Sequence, residues 1–247
     1  MSFVIGTAGW TIPRQHADYF PAEGSSLERY AHHFAGVEIN SSFYRSHRAT
    51  TWERWSASVP DNFFFSVKLP REVSHVRKLV DCRDILETFL EEVVALRGKL
   101  AVLLLQLPPK LPFEASVANP FLETLCAMTR TQLVCEPRHP SWFGGEADPL
   151  LRSLGIARVA ADPSPAEEGE LPGGSPQFRY WRLHGSPRIY RSSYDDERLE
   201  RWAGLMRKDL EQGRPTWCIF DNTAGSAAVG DALRLEALVT PAVRNPV

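Results

Sequence analysis

The chain has 247 residues, with 28 Lys and Arg against 30 Asp and Glu, a formal net charge of -2 and 43% hydrophobic residues. That balance excludes a disordered or fibrous chain, and the length suffices for one large α/β barrel or two ordinary domains. The longest apolar stretch, Leu100 to Leu107 broken by Gln106, is far short of the roughly 20 residues of a membrane helix, so no membrane association is expected.

Short β-rich runs recur along the chain. They are Phe3–Gly6, Val37–Asn40, Phe63–Lys68, Leu100–Gln106, Leu133–Glu136, Ile156–Ala161, Phe178–His184 and Trp217–Asp221, eight strand candidates at the spacing of a βα repeat. Helical patterns fill most of the gaps. Leu27, Tyr30, Ala31 and Phe34 form an apolar stripe behind a Ser25-x-x-Glu28 capping box, and Thr50-x-x-Glu53 is expected to open the next helix in the same way. A third helix runs from about Arg83 to Gly98. The fourth and fifth are expected to open on Asn119-Pro120 and Asp148-Pro149, where a side-chain cap precedes a proline that needs no hydrogen bond. Leu199, Trp202, Leu205, Met206 and Leu210 mark another helix, and the Ala-rich stretch after Gly225 marks the last. The sixth gap, Asp162 to Pro176, is rich in Pro, Gly and Glu without an apolar period, and predicts an irregular connection. Eight units without a linker predict one domain over 1–247, a single (β/α)8 TIM-type barrel. The turn after the first strand, Gly6-Thr-Ala-Gly9, lacks a dinucleotide fingerprint, and no cofactor is expected.

Four scattered cysteines, Cys82, Cys126, Cys135 and Cys218, offer no Cys-x-x-Cys pair and read as reduced core residues. With no export signal in Met1-Ser-Phe-Val-Ile-Gly6, a cytoplasmic location is expected.

Residues two apart in a strand share a face, so polar pairs near strand ends point into a barrel mouth. Glu38 and Asn40, Ser66 and Lys68, Glu136 and Arg138, and Tyr180, Arg182 and His184 are such sets, and Gln106, Asp162, Asp221 and Asn222 stand at other strand ends. Their convergence at the carboxyl ends is where barrel enzymes build active sites. The bland alternative is an ion-pair network that satisfies only itself, which desolvation makes a poor source of stability.

Eight ordered motifs carry a resemblance. They are Gly6-Thr-Ala-Gly-Trp10, Val37-Glu-Ile-Asn-Ser-Ser-Phe-Tyr-Arg45, Phe65-Ser-Val-Lys68, Ser74-His75, Leu105-Gln-Leu-Pro-Pro109, Glu136-Pro-Arg-His-Pro-Ser-Trp-Phe143, Arg182-Leu-His-Gly185 and Phe220-Asp-Asn222. Over nearly the whole chain this resembles the YecE-like family, domain of unknown function 72, which implies a barrel fold and supplies no settled activity. The chain departs from the family's pattern at Ala8, Ile12, Gln15 and Pro137, which touches the shape of the first loop.

The residues point to acid/base chemistry on a small anionic or polyhydroxylated substrate, by a hydrolase, lyase or isomerase. Glu38 and Glu136 are the candidate acid and base, with Lys68 and His184 completing the catalytic set. Trp10, Asn40, Tyr44, His75, Gln106, Arg138, Arg182, Asp221 and Asn222 are expected to bind substrate, the cations holding phosphate or carboxylate. A crowded cationic setting can also prepare Lys68 for Schiff-base chemistry. The alternatives are a nucleic-acid-binding barrel using mouth aromatics and arginines, a metal phosphoesterase with Glu136, His139, Asp162 and His184 as ligands, and a non-catalytic ligand-binding barrel. Arg138 and Arg182 beside any cation weigh against the metal, and nothing in the sequence names a protein partner.

Overall fold

The computed structural model describes residues 3–240. Residues 1–2 and 241–247, the ends of the expected 1–247 domain, lie outside the described residues. The fold is α/β, with strands β1 (Phe3–Thr7), β2 (Gly36–Ile39), β3 (Phe64–Lys68), β4 (Leu100–Gln106), β5 (Gln132–Glu136), β6 (Ala157–Arg158), β7 (Ala160–Asp162), β8 (Gly173–Gly174), β9 (Arg179–Leu183) and β10 (Thr216–Phe220). The helices are α1 (Ser26–Ala31), α2 (Ala49–Ala57), α3 (Arg83–Val93), α4 (Ala115–Met128), α5 (Ala147–Ser153), α6 (Asp196–Glu211) and α7 (Ala228–Val239). No helix among the described residues is long and apolar enough to cross a membrane.

The strands form two sheets, one in the order β1-β10-β9-β7 and one in the order β2-β3-β4-β5-β6-β8. All pairs are parallel except β6 with β8. The expected sixth strand is thus divided at Val159. Its first half pairs with β5 and its second with β9, so one stretch of chain serves both sheets. At the other junction Ala8 bridges Glu38, with the Gly9 amide donating to the Glu38 carbonyl at 2.8 Å.

The alternation of strand side chains divides the core in two. One set packs beneath the helices and includes Ile5, Val37, Phe65, Leu103, Leu105, Cys135, Trp181 and Cys218. The second joins the facing surfaces of the two sheets and consists of Val4, Val102, Leu104, Val134, Ala157, Val159, Phe178, Tyr180, Trp217 and Ile219. Followed toward the carboxyl ends, this second register turns polar. Val102 and Leu104 lead to Gln106, Val134 to Glu136, Tyr180 to Arg182, and Ile219 to Asp221. Apolar burial below therefore sets which polar groups meet above.

The helix starts differ from the sequence reading in three places. Ser25 and Glu28 do cap α1 reciprocally. Thr50 and Glu53 lie inside α2, which begins after Arg48 without a side-chain cap. Likewise α4 begins at Ala115 with Pro120 inside it, because the buried stripe Ala118, Leu122 and Leu125 already requires helix before the proline. Asp148 is taken from capping by Arg158 Nε at 2.8 Å and the Gly174 amide at 2.9 Å, and α5 starts at Ala147. The sixth connection carries only a 3-10 turn at Glu167–Glu170 and the two residues of β8.

Candidate active site

The centre of the polar cluster is Arg182, on β9 and 0% exposed. Its Nη2 donates to Glu38 Oε1 at 2.7 Å and to Asp221 Oδ2 at 3.0 Å, its Nε donates to Glu38 Oε2 at 3.0 Å, and its Nη1 pairs with Glu136 Oε2. One guanidinium from the first sheet thus holds two carboxylates of the second. A five-donor planar fork is suited to this and an ammonium is not.

The remaining carboxylate capacity is also filled. Tyr180 donates to Glu38 Oε2 at 2.9 Å and receives the Ser66 hydroxyl at 2.7 Å. Burial drives its phenol far above the usual range, with Glu38 adding to the effect, so Tyr180 stays a neutral donor. Glu136 receives Gln106 Nε2 at 3.1 Å and Arg138 Nε at 3.0 Å. Burial raises the Glu136 pKa, but Arg182, Arg138 and His184 together outweigh it and hold the carboxyl well below its ordinary value. Asp221 is likewise pushed up by burial and pulled further down by Arg182 and His184. Both ring nitrogens of His184 face carboxylates, Nδ1 at 3.0 Å from Asp221 Oδ2 and Nε2 at 3.0 Å from Glu136 Oε1. The Glu136 contact is the shorter of two at Nε2, Arg138 Nη2 being 3.5 Å away. The ring is thus flanked by a carboxylate at each nitrogen.

Lys68 stands apart. It is the last residue of β3 and 7% exposed, yet no described carboxylate pairs with its ammonium, while Arg138 and Arg182 are both paired. Its Nζ lies 3.8 Å from the centre of the Phe43 ring. Phe43 is positioned by a turn in which its amide donates to the Asn40 carbonyl at 3.1 Å, while the Ser42 hydroxyl donates to the Lys68 carbonyl at 2.7 Å. Burial lowers the Lys68 pKa to about 8, with Arg182 adding to the fall against Glu136, Glu38 and Asp221. His75 packs on the other edge of Phe43, ring centres 5.0 Å apart. Burial brings its pKa down to about 4, with the positive charges of Lys68, Arg71 and Arg138 adding to the fall. The Asn40 Oδ1, one residue beyond the last β2–β3 pair, is buried without a partner.

A cavity of about 310 Å³ opens beside the cluster, lined by Glu136, Arg138 and His184 with Pro109, Pro163 and Pro165 among its walls. That is the low end of the range for small-molecule sites, roughly 300–1,000 Å³. A larger cavity of about 470 Å³ lies elsewhere, between Phe43, Arg71 and the face of α3 at Phe89.

The structure therefore gathers Glu38, Lys68, Gln106, Glu136, Arg138, Arg182, His184 and Asp221, with Asn40 and His75 at the border. Other candidates lie apart. Trp10 packs edge-on against Trp55 at 5.1 Å, and Tyr44, 77% exposed, lines the larger outer cavity. Asn222 is turned toward α7, donating to Asp231 Oδ2 at 2.7 Å and the Ser192 carbonyl at 2.9 Å. The suggested metal ligands do not converge. The His139 ring caps its own turn at Ser141, Asp162 faces Arg198 at 3.8 Å, and among the described residues no three His, Cys, Asp or Glu are grouped to hold a metal ion. Tyr190 was not legible in the sequence. Its hydroxyl receives Arg138 Nη1 at 3.0 Å, its ring packs edge-on to His184 at 5.7 Å, and its φ is 67°. No periodicity marks a loop tyrosine held in that region.

Residues 4–246 match a family described as a protein of unknown function, DUF72. The chain is 32% identical to the YecE protein of Escherichia coli (strain K12) over 167 residues, which span 65% of this chain and 59% of that relative's length. It is 24% identical to the YunF protein of Bacillus subtilis (strain 168), over 95% of this chain and 94% of the relative. Among solved structures, a DUF72 family protein from Thermotoga maritima MSB8 superposes with a TM-score of 0.78 at 24% identity, covering 97% of this chain and 99% of its own. One from Enterococcus faecalis V583 superposes with a TM-score of 0.80 at 18% identity, covering 96% and 95%.

Proposed function

This chain belongs to the DUF72 family, and from the geometry of its polar cluster we propose an enzyme that binds a small anionic substrate, carboxylate or phosphate, at the carboxyl ends of the strands and performs acid/base chemistry on it. The observation that carries this reading is a cation left without a carboxylate. Glu38, Glu136 and Asp221 are met by Arg138, Arg182 and His184, and Lys68 remains over Phe43 with no carboxylate partner among the described residues. A nearly buried ammonium is costly unless something answers its charge, and an anionic ligand does so.

The roles follow from the proton inventory. Glu136, held ionised, serves as a carboxylate that orients His184, and His184 with Lys68 carries the mobile protons. Glu38, locked between Arg182 and Tyr180, positions the guanidinium. The unpartnered Asn40 Oδ1 is an acceptor for a substrate hydroxyl. We further propose that the two sheets close as one (β/α)8 barrel, with the whole chain as one domain. The Ala8–Glu38 bridge and the shared stretch around Val159 support that closure. The free thiols of Cys82, Cys126, Cys135 and Cys218 agree with a cytoplasmic protein.

The test is thermal unfolding with inorganic phosphate. At roughly ten times its Kd, phosphate is expected to raise the Tm of the native chain by about 3–5 °C, and that of Lys68→Met not at all. Without ligand Lys68→Met is expected to be the more stable by about 3 kcal/mol, since a fall in pKa from 10.5 to about 8 is the penalty of burying the charge. The folded state prefers the neutral amine, so stability gained by the native chain appears only as pH rises from about 8 toward the unfolded value, and the advantage of the variant fades over that window. Equal protection of both proteins, or none by phosphate or small carboxylates, refutes the anion site.

A nucleic-acid reading has less behind it. Of the basic residues around the loops, Arg77 is engaged by Asp84 and Glu72, and the most exposed aromatic, Tyr44, faces the outer cavity.

A further inference from the structure

We propose that Lys68 acts as a nucleophilic amine, forming a covalent imine with a carbonyl carbon of the anionic substrate. This rests on the anion-site reading and names the substrate class as an oxo acid or a carbonyl-bearing phosphate.

Three observations carry the assignment. Lys68 ends β3 at the mouth, beside a network whose acceptors are already used by Arg182, Arg138, His184, Tyr180 and Gln106. A structural lysine would share that network, yet no described carboxylate reaches it. Below its Nζ lies the face of the Phe43 ring at 3.8 Å, and no side chain among the described residues hydrogen-bonds the amine. Finally, each of the three carboxylates has its partners without Lys68, so a proton can leave it without stranding an anion. With its pKa lowered to about 8, about a tenth of the molecules carry the free amine at pH 7, against less than one in a thousand for an ordinary lysine.

The step balances as follows. The amine lone pair attacks the carbonyl carbon, the new C–N bond forms as the carbonyl π pair moves to oxygen, and that oxygen takes a proton from the attacking nitrogen to give a carbinolamine. The nitrogen lone pair then expels the hydroxyl, which leaves as water with a proton from solvent, and the protonated imine remains. Its positive charge takes the place of the ammonium, now answered by the anionic group of the same substrate. An imine draws electrons from the adjacent carbon, so the acid/base chemistry of the site gains an electron sink without a bound cofactor.

Glyoxylate and pyruvate, each with sodium cyanoborohydride, are the probes, read by intact mass and peptide mapping. One reduced adduct per chain is expected on Lys68, formed at least tenfold faster than on Lys78 or Lys110, with a rate that rises with pH to half its maximum near 8. Lys68→Arg should abolish it. Labelling of Lys68 no faster than of Lys78 and Lys110, or none, overturns the assignment. If phosphate still protects the native chain and not Lys68→Met, the anion site survives that loss and only the amine chemistry fails. If phosphate protection is absent too, the underlying reading fails.

Discussion

Exchange of Arg182 for methionine is expected to cost about 3–5 kcal/mol of stability, a large share of the roughly 5–15 kcal/mol typical of a folded domain. The side chain itself is replaceable in volume. What cannot be replaced is its answer to Glu38 and Glu136, both essentially without solvent contact, and to Asp221. Removing the cation leaves Glu38 buried with no cation among the described residues and Glu136 and Asp221 with only Arg138 and His184 against them, and the penalty belongs to these carboxylates. Urea denaturation should therefore show a lower midpoint with an unchanged slope. Adding Glu38→Gln to Arg182→Met should recover part of the loss, because one stranded anion is gone, and this non-additivity separates charge imbalance from simple loss of packing. A loss below about 1 kcal/mol, or strictly additive variants, would show that the cluster is not held by Arg182. The pH dependence has a definite sign. Glu136 and Asp221 have folded-state pKa values below their ordinary ones, so at low pH the unfolded chain takes up protons first. Their contribution is complete above about pH 5 and declines as pH falls through the ordinary carboxylate range near 4 toward the lowered native values. In Arg182→Met this acid limb should flatten.

The polar centre was legible in the sequence because it obeys a two-residue period. Glu38, Lys68, Glu136 and Arg182 stand on strands, and Asp221 one residue beyond β10, whose apolar residues fix which face points inward, and Gln106 follows from Val102 and Leu104 in the same way. Loop residues have no such constraint. Trp10, Tyr44 and Asn222 were placed at the mouth by proximity to strand ends, yet a turn of one or two residues redirected each, Asn222 into the Asp231 network and Tyr44 to the outer cavity. His139, suggested as a metal ligand with Glu136, Asp162 and His184, is turned to its own loop in the same way, its ring facing Ser141. Lys68 was legible as a catalytic and Schiff-base candidate, but that no described carboxylate pairs with it is visible only when every carboxylate's partners are known. At Pro120 the cap motif competes with burial, and the apolar stripe prevails.

Gly6→Ala is expected to destabilise the chain by about 3 kcal/mol, at the top of the usual overpacking range. A methyl group there would meet the Gly36 carbonyl oxygen at 2.2 Å and the Tyr30 hydroxyl at 3.2 Å. The oxygen is backbone and cannot swing aside as a side chain can. This contact lies at the junction of β1 and β2, where the two sheets are joined by the single Ala8–Glu38 bridge and by Tyr30, whose hydroxyl receives the Thr7 amide at 2.8 Å and reaches the Gly36 carbonyl at 3.4 Å. Relief of the clash must therefore come from separation of the strands. That movement carries Glu38 away from Arg182 and Tyr180, so the damage spreads from packing into the charge cluster, and phosphate protection should weaken together with stability. Gly98→Ala is the control, since nothing lies within 4 Å of its added methyl and it should change stability by less than about 1 kcal/mol. Were Gly6→Ala as stable as Gly98→Ala, the close approach of β1 and β2 would not be what seats Glu38. If it unfolds as expected, the glycines of this junction are part of the site, because they set the distance across which Arg182 reaches its first carboxylate.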